Sequence, residues 1–162
     1  MKAVIVYYSM SGNVQYVAEN IAANIQADLV QVKPQKAYPD KGIRKFLWGG
    51  KCAMMGETPA LEPYSFDGAA YDTVIFGTPV WASNIAPPLR TFIKENADAL
   101  KGKRIGVALC YAGGGADKAS AKLKALLDIE SFAAELVLID PKDKPKEEHV
   151  MQIKAFCDAL GE

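Results

Sequence analysis

The sequence predicts an α/β fold, a doubly wound five-stranded parallel sheet with helices on both faces. Three observations predict it. Short β-branched runs alternate with segments of helical period along the whole chain. The first run, AVIVYY (3–8), is apolar at nearly every position, as a strand buried on both faces must be. Polar or glycine-rich loops follow the first, third and fourth strands, at the carboxyl ends where such sheets bind ligands.

After the first strand, Val14, Val17, Ala18, Ile21 and Ile25 fall on one side of a helix. DLVQV (28–32) is the second strand and TVIFG (73–77) the third. Pro87 and Pro88 suit a first helical turn, and Leu89, Phe92, Ile93 and Leu100 form the stripe behind them. RIGVALC (104–110) is the fourth strand, with Leu123, Leu126 and Leu127 marking the helix after it. ELVLID (135–140) is the fifth. Asp143 and Pro145 announce a last helix whose buried face is expected at Val150, Ile153, Cys157 and Leu160. Right-handed crossovers favour the strand order 2-1-3-4-5, which puts the switch point between strands 1 and 3.

With 162 residues, half of them apolar, the chain suits one domain over residues 1–162. No apolar run reaches membrane-spanning length, and a polar turn at Ser9 argues against a targeting segment. Lysine plus arginine and aspartate plus glutamate both number 19, so nothing points to nucleic acid. Cys52, Cys110 and Cys157 are far apart and odd in number, which argues against a disulfide framework or a zinc site. The expected compartment is the cytoplasm.

Three loops meet at the switch point. In the first, Ser9, Ser11 and Asn13 offer side-chain donors, Gly12 allows a close turn, and a helix starting near residue 13 directs free N–H groups at the same place. A plain helix cap is the alternative there. The loop has no charge and matches neither GxxxxGK[ST] nor GxGxxG, so a phosphomonoester fits better than a triphosphate or a dinucleotide. In the second loop, Trp81 offers a flat ring for an aromatic ligand, although a packing tryptophan is the plainer reading. In the third, Gly113, Gly114 and Gly115 expose backbone N–H groups with no side chain in the way. A phosphate cradle, a stacking ring and a bare backbone edge together describe flavin mononucleotide (FMN).

At these residues the chain resembles the flavodoxin family. SMSGNV resembles that family's phosphate loop, with Val14 in place of a frequent hydroxyl residue, and YDTVIFGTPVWASNIAPPLRTFI (71–93) resembles its second flavin loop. The resemblance to short-chain members implies that Ser9, Met10, Ser11, Gly12, Asn13 and Val14 hold the FMN phosphate. Thr78, Pro79, Val80, Trp81 and Ala82 line one side of the ring, and Tyr111, Ala112, Gly113, Gly114 and Gly115 hold its pyrimidine edge. The chemistry belongs to the flavin, so no residue is expected to be catalytic, and no metal is expected.

The resemblance implies electron transport between redox proteins. Unlike acidic flavodoxins, however, the chain has no carboxylate in its second loop and only Asp117 in the third, which suits an FMN-dependent NAD(P)H oxidoreductase of the quinone reductase type. In the long segment between strands 2 and 3 (41–68), Ile43, Phe46, Leu47 and Met54 are expected to cover the sheet. Gly49-Gly50 interrupts that helix, and Trp48, Arg44 and Lys51 face away. That outer side suits a redox partner, a second copy of the chain in a homodimer, or NAD(P)H phosphates. His149 is expected to be solvated, and "PKDKPKEEH" reads as an ordinary charged loop and helix start.

Overall fold

The structure, a computed structural model, describes residues 1–39 and 42–161, with the side chains of Lys45 and Phe46 outside the description. Five parallel strands form the sheet. They are β1 (Ala3–Tyr7), β2 (Asp28–Gln31), β3 (Thr73–Trp81), β5 (Arg104–Tyr111) and β6 (Ala134–Ile139), in the order β2-β1-β3-β5-β6. A two-residue strand, β4 (Asn84–Ile85), pairs antiparallel with the end of β3. Apart from this addition the order is the expected one, with the switch between β1 and β3. The helices are α1 (Asn13–Ile25), α2 (Gly42–Met54), α3 (Pro87–Glu95), α4 (Ala97–Leu100), α5 (Ala116–Leu127) and α6 (Glu147–Gly161).

Each face of the sheet has its own core. On one side α1 and α6 pack Val14, Val17, Ile21, Ile153, Phe156 and Leu160 against Ile5, Ile75 and Leu136. On the other, Leu89, Phe92 and Leu123 from α3 and α5 meet Val4, Phe76, Val107 and Leu109. Central strands covered on both sides have no polar face to show, which is why β1 is buried at all five positions. The edge strand β6 alternates buried and more exposed residues instead.

Three expectations are corrected here. The stripe of α6 is His149, Ile153, Phe156, Cys157 and Leu160; Val150 is 64 % exposed and His149 only 4 %. The buried face is thus rotated by one residue, and it carries the imidazole inward with Nδ1 unpartnered among the described residues. Helix α2 continues through Gly49 and Gly50 and packs by its small residues, Gly49, Cys52 and Ala53. Ile43, Leu47 and Met54 are exposed, 68–76 % of each; Phe46, which was expected beside them, and Lys41 lie outside the described residues. The reason is a close approach: a Cβ on Gly49 would stand 3.2 Å from Trp81 Cε3, so bulkier residues there would push the helix away. Finally, β3 runs on to Trp81, and a tight turn at Ala82-Ser83 (φ 48° and 59°) reverses it into β4. Left-handed residues in both central positions are what a two-residue hairpin with a type I′ turn requires.

Burial also sets an alkaline limit on stability. It pushes the thiols of Cys52 and Cys157 up to about 11, that of Cys110 to about 12 and the Tyr8 phenol to about 12. Tyr38 is raised as well, by burial first. An unfolded chain releases these protons from about pH 8.5–10 upward, whereas the folded chain holds them. Their stabilising contribution is therefore complete below pH 8.5 and disappears as pH rises through 11–12. Urea denaturation midpoints should fall steadily from pH 8.5 to pH 11; a flat profile would contradict this assignment.

Candidate functional site

The loops after β1, β3 and β5 enclose a cleft of about 640 Å³, within the roughly 300–1,000 Å³ usual for small-molecule pockets. Of the residues expected to form the site, all but Gly12, Thr78 and Gly115 line it. Thr78 is fully buried behind the wall: its Oγ1 donates to the Pro79 carbonyl and accepts from Ala86 N–H. Gly115 is the N-cap of α5, pressed against Ser83 of the β3–β4 turn. Gly12 is the N-cap of α1, with φ 90°.

The opening loop is arranged for an anion. The N–H groups at the start of a helix lack intrahelical partners. Here Ser9 Oγ accepts those of Gly12 and Gln15, both at 3.2 Å. Those of Asn13 and Val14 have no partner among the described residues. With the hydroxyl hydrogens of Ser9 and Ser11, they supply several neutral donors in one place. Asn13 plays a different part from the one its residue type suggests. Its side chain is buried, and Nδ2 donates to Asp143 Oδ2 (2.7 Å) and Ser11 Oγ (3.3 Å). Its Oδ1 accepts from Lys142 N–H (2.8 Å) and Asp143 N–H (3.4 Å). The side chain is a latch between two loops, and only its backbone is free for a ligand.

Trp81 forms the opposite wall. Its ring meets Tyr8 and Tyr38 edge-on, each with a centroid distance of 5.6 Å, and α2 lies against it at Gly49. Two T-shaped contacts and the close approach of α2 hold the ring in one orientation. Tyr111, Ala112, Gly113 and Gly114 form the third side, with Gly114 at φ 122°. Cys110 lies at the back and is buried.

Residues not anticipated also line the cleft: Gly50 from α2, and Asp140, Asp143 and Lys144 from the segment after β6. The charged stretch "PKDKPKEEH" is therefore part of the site. Lys144 pairs with Asp140 at 3.1 Å. The signal for Asp143 was absent because its partner, Asn13, lies 130 residues away. Asp143→Ala removes the charged partner of this latch. The expected loss is about 1 kcal/mol of unfolding free energy, that of an ordinary hydrogen bond and less than the usual value for a charged partner, because Asp143 is exposed. Asp143→Asn should recover part of it in the same urea denaturation.

A parallel sheet in this order, with a polar loop and an aromatic wall at its switch point, defines a protein of the doubly wound α/β class with a cleft at the switch. Residues 2–141 match the family model for flavodoxin, and the chain belongs to the flavodoxin family. Its fold is also that of several solved structures. A flavoprotein from Lactobacillus acidophilus, solved in complex with FMN, is 21 % identical with a TM-score of 0.70, over 88 % of this chain and 95 % of that one. A candidate flavoprotein from Bacteroides eggerthii is 20 % identical with a TM-score of 0.75, over 99 % and 98 %. Megasphaera elsdenii flavodoxin, two-electron reduced, is 17 % identical with a TM-score of 0.59, over 98 % and 97 %. Among the described residues, no helix is long and apolar enough to cross a membrane, and no group of three or more His, Cys, Asp or Glu could hold a metal.

Proposed function

We propose that the protein binds FMN in this cleft and works in electron transport between redox proteins in the cytoplasm. The observation that carries the reading is the pairing, within one cleft, of free α1 N–H groups and seryl hydroxyls with the fixed ring of Trp81. When bound, FMN supplies one- and two-electron redox chemistry. The Ser9–Val14 loop holds the phosphate through neutral donors, Trp81 covers the ring, and the backbone of Ala112–Gly114 meets the ring's polar edge. Three free, buried cysteines suit a reducing compartment.

The outward apolar side of α2 supports a protein partner. Trp48 is 55 % exposed and Ile43, Leu47 and Met54 are exposed as well, on the helix whose Gly50 lines the cleft. A partner seated there is separated from the cleft by α2 alone. Arg44 and Lys51, exposed on the same helix, favour a second reading, an FMN-dependent NAD(P)H oxidoreductase of the quinone reductase type.

Anaerobic reductive titration of the FMN-loaded protein, followed by visible absorption, separates the two. Two resolved one-electron steps support the carrier. A single two-electron step, with NADH or NADPH consumed in the presence of a quinone, supports the enzyme. The second and third loops contribute no carboxylate to the cleft; of the two that line it, Asp140 is paired with Lys144 and Asp143 lies beside the first loop, accepting from Asn13 Nδ2. The reduction potential should accordingly be less negative than in strongly acidic flavodoxins.

A further inference from the structure

We propose that Lys142 determines cofactor specificity at the phosphate end of the cleft. Its ammonium group lies over the Gly12 turn and selects a dianionic phosphate ester over the unphosphorylated flavin. The inference rests on the FMN reading above and concerns a residue that the loop sequence does not contain. A Cβ on Gly12 would stand 2.6 Å from Lys142 Nζ and 3.3 Å from its Cδ, so the lysine stem crosses the loop directly above the glycine. Glycine is needed there for φ 90°; the lysine end, being flexible and exposed, would yield to a Cβ, so what the geometry gives is the nearness of the ammonium group to the turn.

The lysine is held from its own backbone. Lys142 N–H donates to Asn13 Oδ1 at 2.8 Å, and the neighbouring Asp143 carboxylate accepts from Asn13 Nδ2. These bonds carry the cation to the residue that opens α1. The ion pairs among the described residues are Lys101–Asp98, Lys144–Asp140, Lys146–Glu148 and Lys154–Asp158, and Lys142 belongs to none of them. Lys144 is neutralised by Asp140, whereas Lys142 offers an uncompensated charge beside a loop that has none. The nearby Asp143 carboxylate opposes an incoming anion, so removing Lys142 leaves the phosphate facing a net negative neighbour. A phosphate monoester carries nearly two charges at pH 7. Lys142 is exposed, which limits each unit of charge to the range of a surface pair.

The test compares FMN and riboflavin dissociation constants for the wild type, Lys142→Gln and Lys142→Arg, at low and high salt. Lys142→Gln should weaken FMN binding by roughly 2- to 30-fold and leave riboflavin unchanged. Lys142→Arg should restore FMN affinity, and the wild type should lose its advantage at high salt. Equal weakening of both flavins would mean that the lysine acts by packing, and no change in either would mean that it does nothing; both results overturn the inference. Should the wild type bind neither flavin, the FMN reading fails by itself. Inorganic phosphate then serves as the probe, read by amide shifts of Gly12, Asn13 and Val14. Shifts in the wild type that shrink in Lys142→Gln uphold the anion role, and identical titrations end it.

Discussion

Trp81→Ala should weaken FMN binding by roughly 5- to 150-fold, which corresponds to about 1–3 kcal/mol for loss of one stacked aromatic. Two effects add in the same direction. The ring supplies the flat wall of the cleft, and its position is fixed by Tyr8, Tyr38 and Gly49. Removing the indole leaves those three without their common partner, so the wall itself loosens. Trp81→Phe keeps an aromatic face and should stay within a few-fold of the wild type. Isothermal titration measures both variants. Fluorescence gives an independent reading in a Trp48→Phe background, because Trp48 and Trp81 are the two tryptophans. In that background, bound FMN should quench most of the remaining emission. An alanine variant that binds FMN with unchanged affinity would reduce Trp81 to a packing residue.

Gly77→Ala should lower both stability and cofactor affinity. Gly77 lies in β3 facing α1, where a Cβ would come 2.9 Å from Tyr7 Cβ and 3.0 Å from Val14 Cγ1. Neither neighbour can swing aside: Tyr7 Cβ is fixed by the β1 backbone, and Val14 is branched and buried. Overpacking at such a site costs about 1–3 kcal/mol. The strain also has a direction. Val14 is in the first turn of α1, so pushing it outward tilts the N–H groups that face the cleft. The variant should therefore bind FMN more weakly as well as unfold at lower urea. Reduced stability with unchanged FMN affinity would show that the first turn of α1 moves independently of the cleft. Gly106→Ala offers a comparison, since its Cβ would meet Leu160, Ile75 and Phe156 at 3.1–3.3 Å on the face packed by α6, and none of these lines the cleft. It should lower stability while sparing FMN binding.

How much of this was legible in the sequence depended on whether the signal was local. The five parallel strands and their order followed from runs of β-branched residues and from the handedness of the crossovers, both properties of short segments. The three loops at the switch point followed from the same reasoning, and the residues placed there are almost those that line the cleft. The β3–β4 hairpin did not show, because Ala82-Ser83 takes left-handed conformations without the glycine or asparagine that usually marks them. Helix α2 turns its small residues, not its large apolar ones, inward. Its large apolar residues suggested a buried stripe, but only its glycines and other small residues can come close to Trp81.

The sequence by itself determined the fold class, the strand order and the chemical character of each loop, since these depend on periodicity and residue type over a few turns. Tertiary structure alone decided that Asn13 is a latch and that the segment carrying Lys142 and Asp143 is fastened to the loop after β1. The physical reason is distance along the chain: hydrogen bonds spanning 129 and 130 residues leave no periodic trace, and they exist only once β1 and β6 have been brought into one sheet.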